Sequence, residues 1–246
     1  PGAGKTTWIQ QQLAAIAQPA VYLGLGLGSV PIDVAYLAAE TPKLTALADD
    51  RATELLNYLD AGYPIYIELG FHLDLASLIL PIDPTNCHRV AVVPVNSEST
   101  EWHEWAEVIA EGSASQICLQ RPQLWRSPLT GEVFDPASLN VFWEELTLGA
   151  YGNIQRAKGL FNLADGRSFY FNFVAGCLTE YIELKLPAWT SGRSDRLGGL
   201  EVLGEKLDEQ SIAQTLEDCC LDDLALEYYQ QQLQDALVTA EEAQQS

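Results

Sequence analysis

Gly2, Ala3, Gly4, Lys5, Thr6 and Thr7 stand together at the head of the chain, and their order is one that handles phosphate. They read as the end of the pattern G-x-x-x-x-G-K-[ST], with Gly4, Lys5 and Thr6 in its last three positions. Glycines let a backbone turn so that several N–H groups face one anion. Lys5 supplies a positive charge for the outer phosphates, and the Thr6 hydroxyl is a hard oxygen of the kind that holds Mg²⁺. A helix expected over residues 5–17 points its positive end at the same anion. The first glycine of the pattern falls two residues ahead of Pro1, and the chain contains no Met. It is therefore expected to be a segment of a longer protein, with a first strand upstream.

The elements that must position this loop alternate. A buried strand is expected at residues 21–23, a loop at 24–29, helices at 33–40 and 43–59, and a strand at 65–68 that ends on Glu68. Further strands are expected at 89–95 and 115–119, with helices at 99–109 and 136–146 and a loop or hairpin at 129–134. Strand–helix alternation of this kind predicts a parallel α/β sheet, with ligands at the carboxyl ends of its strands. A carboxylate at Glu68 suits a magnesium ion, directly or through water. A helix cap or a solvated strand end is its plainer reading.

From about residue 149 the texture changes to strands at 154–163, 168–174, 181–186 and 200–207, followed by a helix at 208–221. The expected fold is thus α/β, with a parallel-sheet phosphate-loop domain over 1–148, a smaller α+β domain over 149–225, and an acidic helix and tail over 226–246. The last residues, 241–246, are expected to be disordered.

The chain has 246 residues, with 13 Lys and Arg against 34 Asp and Glu, a net charge of −21. Residues 201–246 hold twelve of the acids and one base, Lys206. Such a balance disfavours nucleic acid and anionic membranes as partners. No apolar run reaches the roughly 18 residues a membrane span needs. The five Cys, at 87, 118, 177, 219 and 220, are odd in number and irregular in spacing. That pattern fits reduced, mostly buried thiols and a cytoplasmic location better than a disulfide framework. His72, His88 and His103 lack ligand spacing. The acidic last helix reads as a solvated face or a protein-docking face.

Taken together, these residues resemble the CobW-type P-loop GTPases, a family tied to metal-ion handling and cobalamin-related chemistry. The resemblance begins with the loop at 2–7. It continues through Leu25-Gly26-Leu27-Gly28-Ser29-Val30-Pro31-Ile32-Asp33, where Gly28, Val30, Ile32 and Asp33 match a switch segment N-E-F-G-E-V-G-I-D. Leu25-Gly26 replace its Asn-Glu pair. The family's C-x-C-C metal-transfer motif has no counterpart, so zinc or cobalt is unsupported. Glu68 and Asp74 match the next acidic segment. Gln120, Arg121 and Gln123 stand where N-K-x-D reads guanine, with Gln123 in place of the Asp. Arg156-Ala157-Lys158-Gly159-Leu160-Phe161 resembles the strand that opens the family's second domain.

The resemblance implies GTP binding with Mg²⁺ and weak hydrolysis, with Thr6, Asp33 and Glu68 near the metal. It also implies a client or partner protein for the C-terminal domain. The alternative is a degenerate relative acting as a non-enzymatic interaction module.

Overall fold

Residues 20–25 (AVYLGL) carry no charge, which suits a strand covered on both faces. In the computed structural model, which describes residues 2–80, 82–95, 98–113 and 121–244, they form β1 (Ala20–Leu25). It follows α1 (Lys5–Ala15), which buries Ile9 and Leu13. β1 is the middle strand of a parallel three-stranded sheet, between β2 (Leu44–Leu47) and β3 (Ile65–Leu69). α2 (Ile32–Glu40) joins β1 to β2. A 3₁₀ turn (Asp49–Glu54) and α3 (Leu55–Asp60) join β2 to β3. Val21, Leu23, Leu47 and Leu55 pack as one cluster on one sheet face. By strand alternation Tyr22 and Gly24 face the other way, and so does Glu68, which lies opposite Gly24.

β4 (Val90–Pro94) and β5 (Val108–Gly112) form a second, parallel pair. Between them runs α4 (Glu101–Trp105), whose N-cap is Thr100. His103 completes a capping box there, its Nδ1 accepting from the Thr100 N–H at 3.0 Å.

The remainder is a five-stranded antiparallel sheet, ordered β6-β10-β7-β8-β9. Its strands are β6 (Gln123–Pro128), β7 (Asn153–Asn162), β8 (Ser168–Val174), β9 (Glu180–Glu183) and β10 (Gly199–Glu205). α5 (Pro136–Leu148) and α6 (Glu209–Asp218) accompany it, and α7 (Asp223–Gln244) ends the described chain. α5 starts where Asp135 accepts the Ser138 N–H at 2.8 Å and ends at Gly149 in the left-handed conformation. Its buried face (Leu139, Phe142, Trp143, Leu146) enters one core with Ala157, Phe161, Phe171, Leu200 and Val202 of the sheet.

The parallel pairing early in the chain agrees with the expected α/β class, but it is divided between a three-stranded sheet and a separate two-stranded pair, and the later sheet is antiparallel. The compact units, however, are Pro1–Cys118 and Leu119–Ser246, so the break precedes residue 148 by some thirty positions. Two elements move it. β6, unread in the sequence, pairs with β10 from Gly199↔Pro128 to Gly204↔Gln123, and α5 lays its apolar face on the same sheet.

Other elements differ too. The expected helix at 43–59 is β2 followed by short helical turns, because Leu44–Leu47 finds a parallel partner in β1. The expected helix at 99–109 stops at Trp105, and Val108 and Ile109 enter β5 beside β4. The expected strand at 115–119 lies outside the described residues. α7 continues to Gln244, through most of the tail expected to be disordered.

Trp143 is fully buried, its ring centroid 5.2 Å from that of Phe171 and 6.1 Å from that of Phe161, each pair edge to face. Trp143→Ala is expected to cost about 3–5 kcal/mol, read as a lower urea midpoint for unfolding of the second unit.

Candidate phosphate and magnesium site

The glycines at the head of the chain do what their positions suggest. Gly2 and Gly4 have φ of 74° and 92°, in the left-handed region that glycine enters without a Cβ clash. Gly4 is the N-cap of α1, and its carbonyl accepts the Trp8 N–H at 2.9 Å. No side chain caps this helix end and no acid stands in its first turn. Its unsatisfied N–H groups and positive dipole end are therefore left facing the loop.

What fixes the loop's shape is a residue the sequence reading did not single out. Ser113, just past β5, donates its N–H to the Ala3 carbonyl at 3.0 Å and its hydroxyl to the Gly2 carbonyl. In a trans peptide the C=O and the following N–H point opposite ways. Holding those two carbonyls toward Ser113 therefore turns the N–H groups of Ala3 and Gly4 to the other side. Gly112 makes the approach possible, since a Cβ there would lie 2.0 Å from the Ala3 carbonyl oxygen.

Behind the loop stands Glu68, at the end of β3 and 5% exposed. Its carboxylate accepts from Thr6 Oγ1 at 3.0 and 3.3 Å and from the Tyr22 hydroxyl at 3.1 Å. Lys5 Nζ lies 3.9 Å from Oε1. A buried carboxylate is costly unless it is paired and hydrogen-bonded, and here it is both. The structure thus brings Gly2, Ala3, Gly4, Lys5, Thr6 and Glu68 together. Thr7 is exposed in the first turn of α1.

Asp33 is buried in the first turn of α2, where a negative charge meets the helix's positive end. The loop after β1 is tied by Gly26, whose N–H donates to Asp49 Oδ1 at 2.7 Å, and by Gly70, whose N–H donates to the Leu25 carbonyl at 2.8 Å. Asp74 is used locally, accepting from the Ala76 N–H at 3.0 Å and the Ser77 hydroxyl at 2.9 Å.

Of the residues expected near a base, two are described, both in the second unit. Gln120 lies outside the described residues. Gln123 opens β6 in the second unit, and its Oε1 accepts the Leu207 N–H at 2.9 Å. Arg121 donates its own N–H to Glu205 Oε1 at 2.9 Å. The side-chain oxygen that a guanine edge would need is thus holding the turn after β10.

The donors at the loop are hard oxygens, a hydroxyl and a carboxylate, beside a lysine. Magnesium fits that set and a thiophilic metal does not. Among the described residues no group of three or more His, Cys, Asp or Glu could hold a metal ion. His72 stacks edge-on with Phe71, and exposed His88 lies 3.6 Å from Glu107. Cys177 is exposed, contrary to the expected burial, while Cys219 is buried and Cys220 half-buried. Burial pushes the Cys219 thiol up to about 11 and the Cys220 thiol up to about 12, helped by nearby carboxylates.

A glycine-turned loop thus leads into a helix, with a buried carboxylate behind the Thr6 hydroxyl. The second unit gives a family. Residues 130–220 match the family described as "Cobalamin synthesis protein cobW C-terminal domain", and the chain carries that domain. Two solved structures are similar to the chain. One is a Zn(II)-bound triple mutant of the YjiA GTPase, at 11% identity and TM-score 0.34, covering 89% of this chain and 95% of that one. The other is Zn(II)-bound YjiA GTPase from E. coli, at 12% identity and TM-score 0.34, covering 89% and 68%. No curated protein matches the chain.

Two outcomes test this geometry. Gly112→Ala is expected to displace the loop, read as chemical-shift changes at Gly2–Thr6 amides with the second unit unaltered. With iodoacetamide at pH 8, Cys177 is expected to be alkylated before Cys219 and Cys220, whose thiolates form only well above that pH; peptide mass spectrometry reads the order.

Proposed function

We propose that the chain is a CobW-like protein that binds a nucleoside triphosphate with Mg²⁺ at the loop of residues 2–7 and hydrolyses it weakly. The carrying observation is the convergence of Lys5, Thr6 and Glu68 on a loop whose Ala3 and Gly4 N–H groups are turned to one side. In this reading the loop amides and Lys5 hold the phosphates. The Thr6 oxygen holds magnesium and Glu68 orients the Thr6 hydroxyl, with Asp33 nearby as a further acid. Magnesium, when bound, neutralises phosphate charge. The matched C-terminal domain supports a cobalamin-related setting; a metal-homeostasis role, a cytoplasmic location and a client protein engaged through that domain follow from the resemblance.

The base is read weakly. GTP is the expected nucleotide from the resemblance, but Gln123 is committed to Leu207, so the preference for GTP over ATP is expected to be small. The loss of the Asn-Glu pair at Leu25-Gly26 and the occupied Gln123 favour a second reading, in which the chain is a non-catalytic interaction module.

Titration of the natural full-length protein with fluorescent GTP and ATP in magnesium separates the two. Lys5→Ala is expected to weaken binding at least about tenfold, with GTP and ATP affinities close to one another. Unchanged binding in Lys5→Ala, or none to wild type at millimolar nucleotide, overturns the proposal in favour of the interaction module.

A further inference from the structure

Glu68 receives a hydrogen bond that the phosphate loop does not supply. Tyr22, on β1 and fully buried, donates its hydroxyl proton to Glu68 Oε2 at 3.1 Å, the oxygen that Thr6 reaches at 3.0 Å. Strand register explains how a tyrosine gets there. Gly24 is the residue directly opposite Glu68, and Tyr22 lies two positions back on the same face. The diagonal spacing is long enough for a phenol ring to span. Gly24 contributes no side chain of its own there, and a Cβ on it would meet the Leu27 side chain at 2.4 Å and the Val34 side chain at 3.0 Å. Two neighbouring strands, not a loop, thus set the position of the hydroxyl.

A proton count shows what this contact does. An ionised carboxylate only accepts, so Thr6 must spend its single hydroxyl proton on Glu68. The lone pairs of Thr6 Oγ1 are then what remains for a cation. Tyr22 spends its own proton on the same carboxylate oxygen and fixes the carboxylate plane, while Oε1 faces Lys5. We propose that Tyr22 is a positioning residue that sets the divalent-cation affinity of this site, acting through Glu68 on the Thr6 hydroxyl. The inference rests on the nucleotide–magnesium reading of the loop.

The test measures the magnesium chloride concentration that half-saturates cation-dependent binding of fluorescent GTP to the full-length protein. Tyr22→Phe keeps the ring and removes only the hydroxyl. It is expected to raise that concentration about tenfold, leaving binding in EDTA nearly unchanged. Glu68→Gln is expected to raise it as well. Because Tyr22 acts through Glu68, Tyr22→Phe in the Glu68→Gln background is expected to add less than about twofold.

A wild-type magnesium requirement in Tyr22→Phe, or effects of the two substitutions that multiply, overturns the inference. Lys5-dependent nucleotide binding that is indifferent to Tyr22 overturns this inference alone, and absence of nucleotide binding overturns the function proposed above with it. Should Tyr22→Phe fail to fold, ¹³Cζ-tyrosine spectra of wild type and Glu68→Gln decide. The Tyr22 signal is expected to move between them and again on adding magnesium with GTP; no tyrosine signal moving overturns the proposal.

Discussion

A carboxylate buried at the end of a strand is the constraint on which the first unit depends. Glu68 is 5% exposed in an apolar sheet, a position that costs several kcal/mol unless the charge is answered. Lys5 and Thr6 from α1 and Tyr22 from β1 help to answer it. Those contacts hold the start of α1 against the ends of β1 and β3, so the helix and the loop before it have a definite place over the sheet. The same contacts make the site electrostatically poised, because Lys5 is only partly satisfied at 3.9 Å and remains open to a stronger anion.

The second unit is held differently. Its core is aromatic and aliphatic, with Trp143, Phe161 and Phe171 meeting edge to face across a helix and two strands. Polar groups serve as staples at its margins. Arg193 joins Asp223 at 2.8 Å and the Leu221 carbonyl at 2.7 Å, and Gln230 exchanges two hydrogen bonds with the Gly192 backbone. Gln123 belongs to this set, fastening Leu207 at the end of β10.

The sequence was most legible where the signal is local. The glycine-lysine-threonine run, the Asp135-Pro136 helix start and strands β7 to β10 of the second unit followed from residue type and periodicity. Glu68 was legible as an acid at a strand end. What escaped depends on distant partners. β2 reads as helix because Leu44 and Leu47 have helical spacing, and only β1 makes it a strand. β6 lies between Pro122 and Pro128 and looks like a loop until β10, some seventy residues later, pairs with it. Tyr22 passed as an ordinary strand residue, since nothing in Val21-Tyr22-Leu23 shows that its hydroxyl ends on a carboxylate. Gly112 and Ser113 carry no pattern at all, and their value lies wholly in the backbone they touch.

That last contact links one stretch of the chain to another made much later. Ser113 is 111 positions from Gly2, so the loop leaves the ribosome long before the residue that turns its carbonyls has been made. Closing a segment of that length carries a large entropy cost and belongs to the late, long-range stage of folding. A nascent chain truncated before Ser113 therefore has the complete Gly2–Thr7 sequence and lacks the two hydrogen bonds that shape it. The shape of the loop is, in this molecule, acquired near the completion of its first unit.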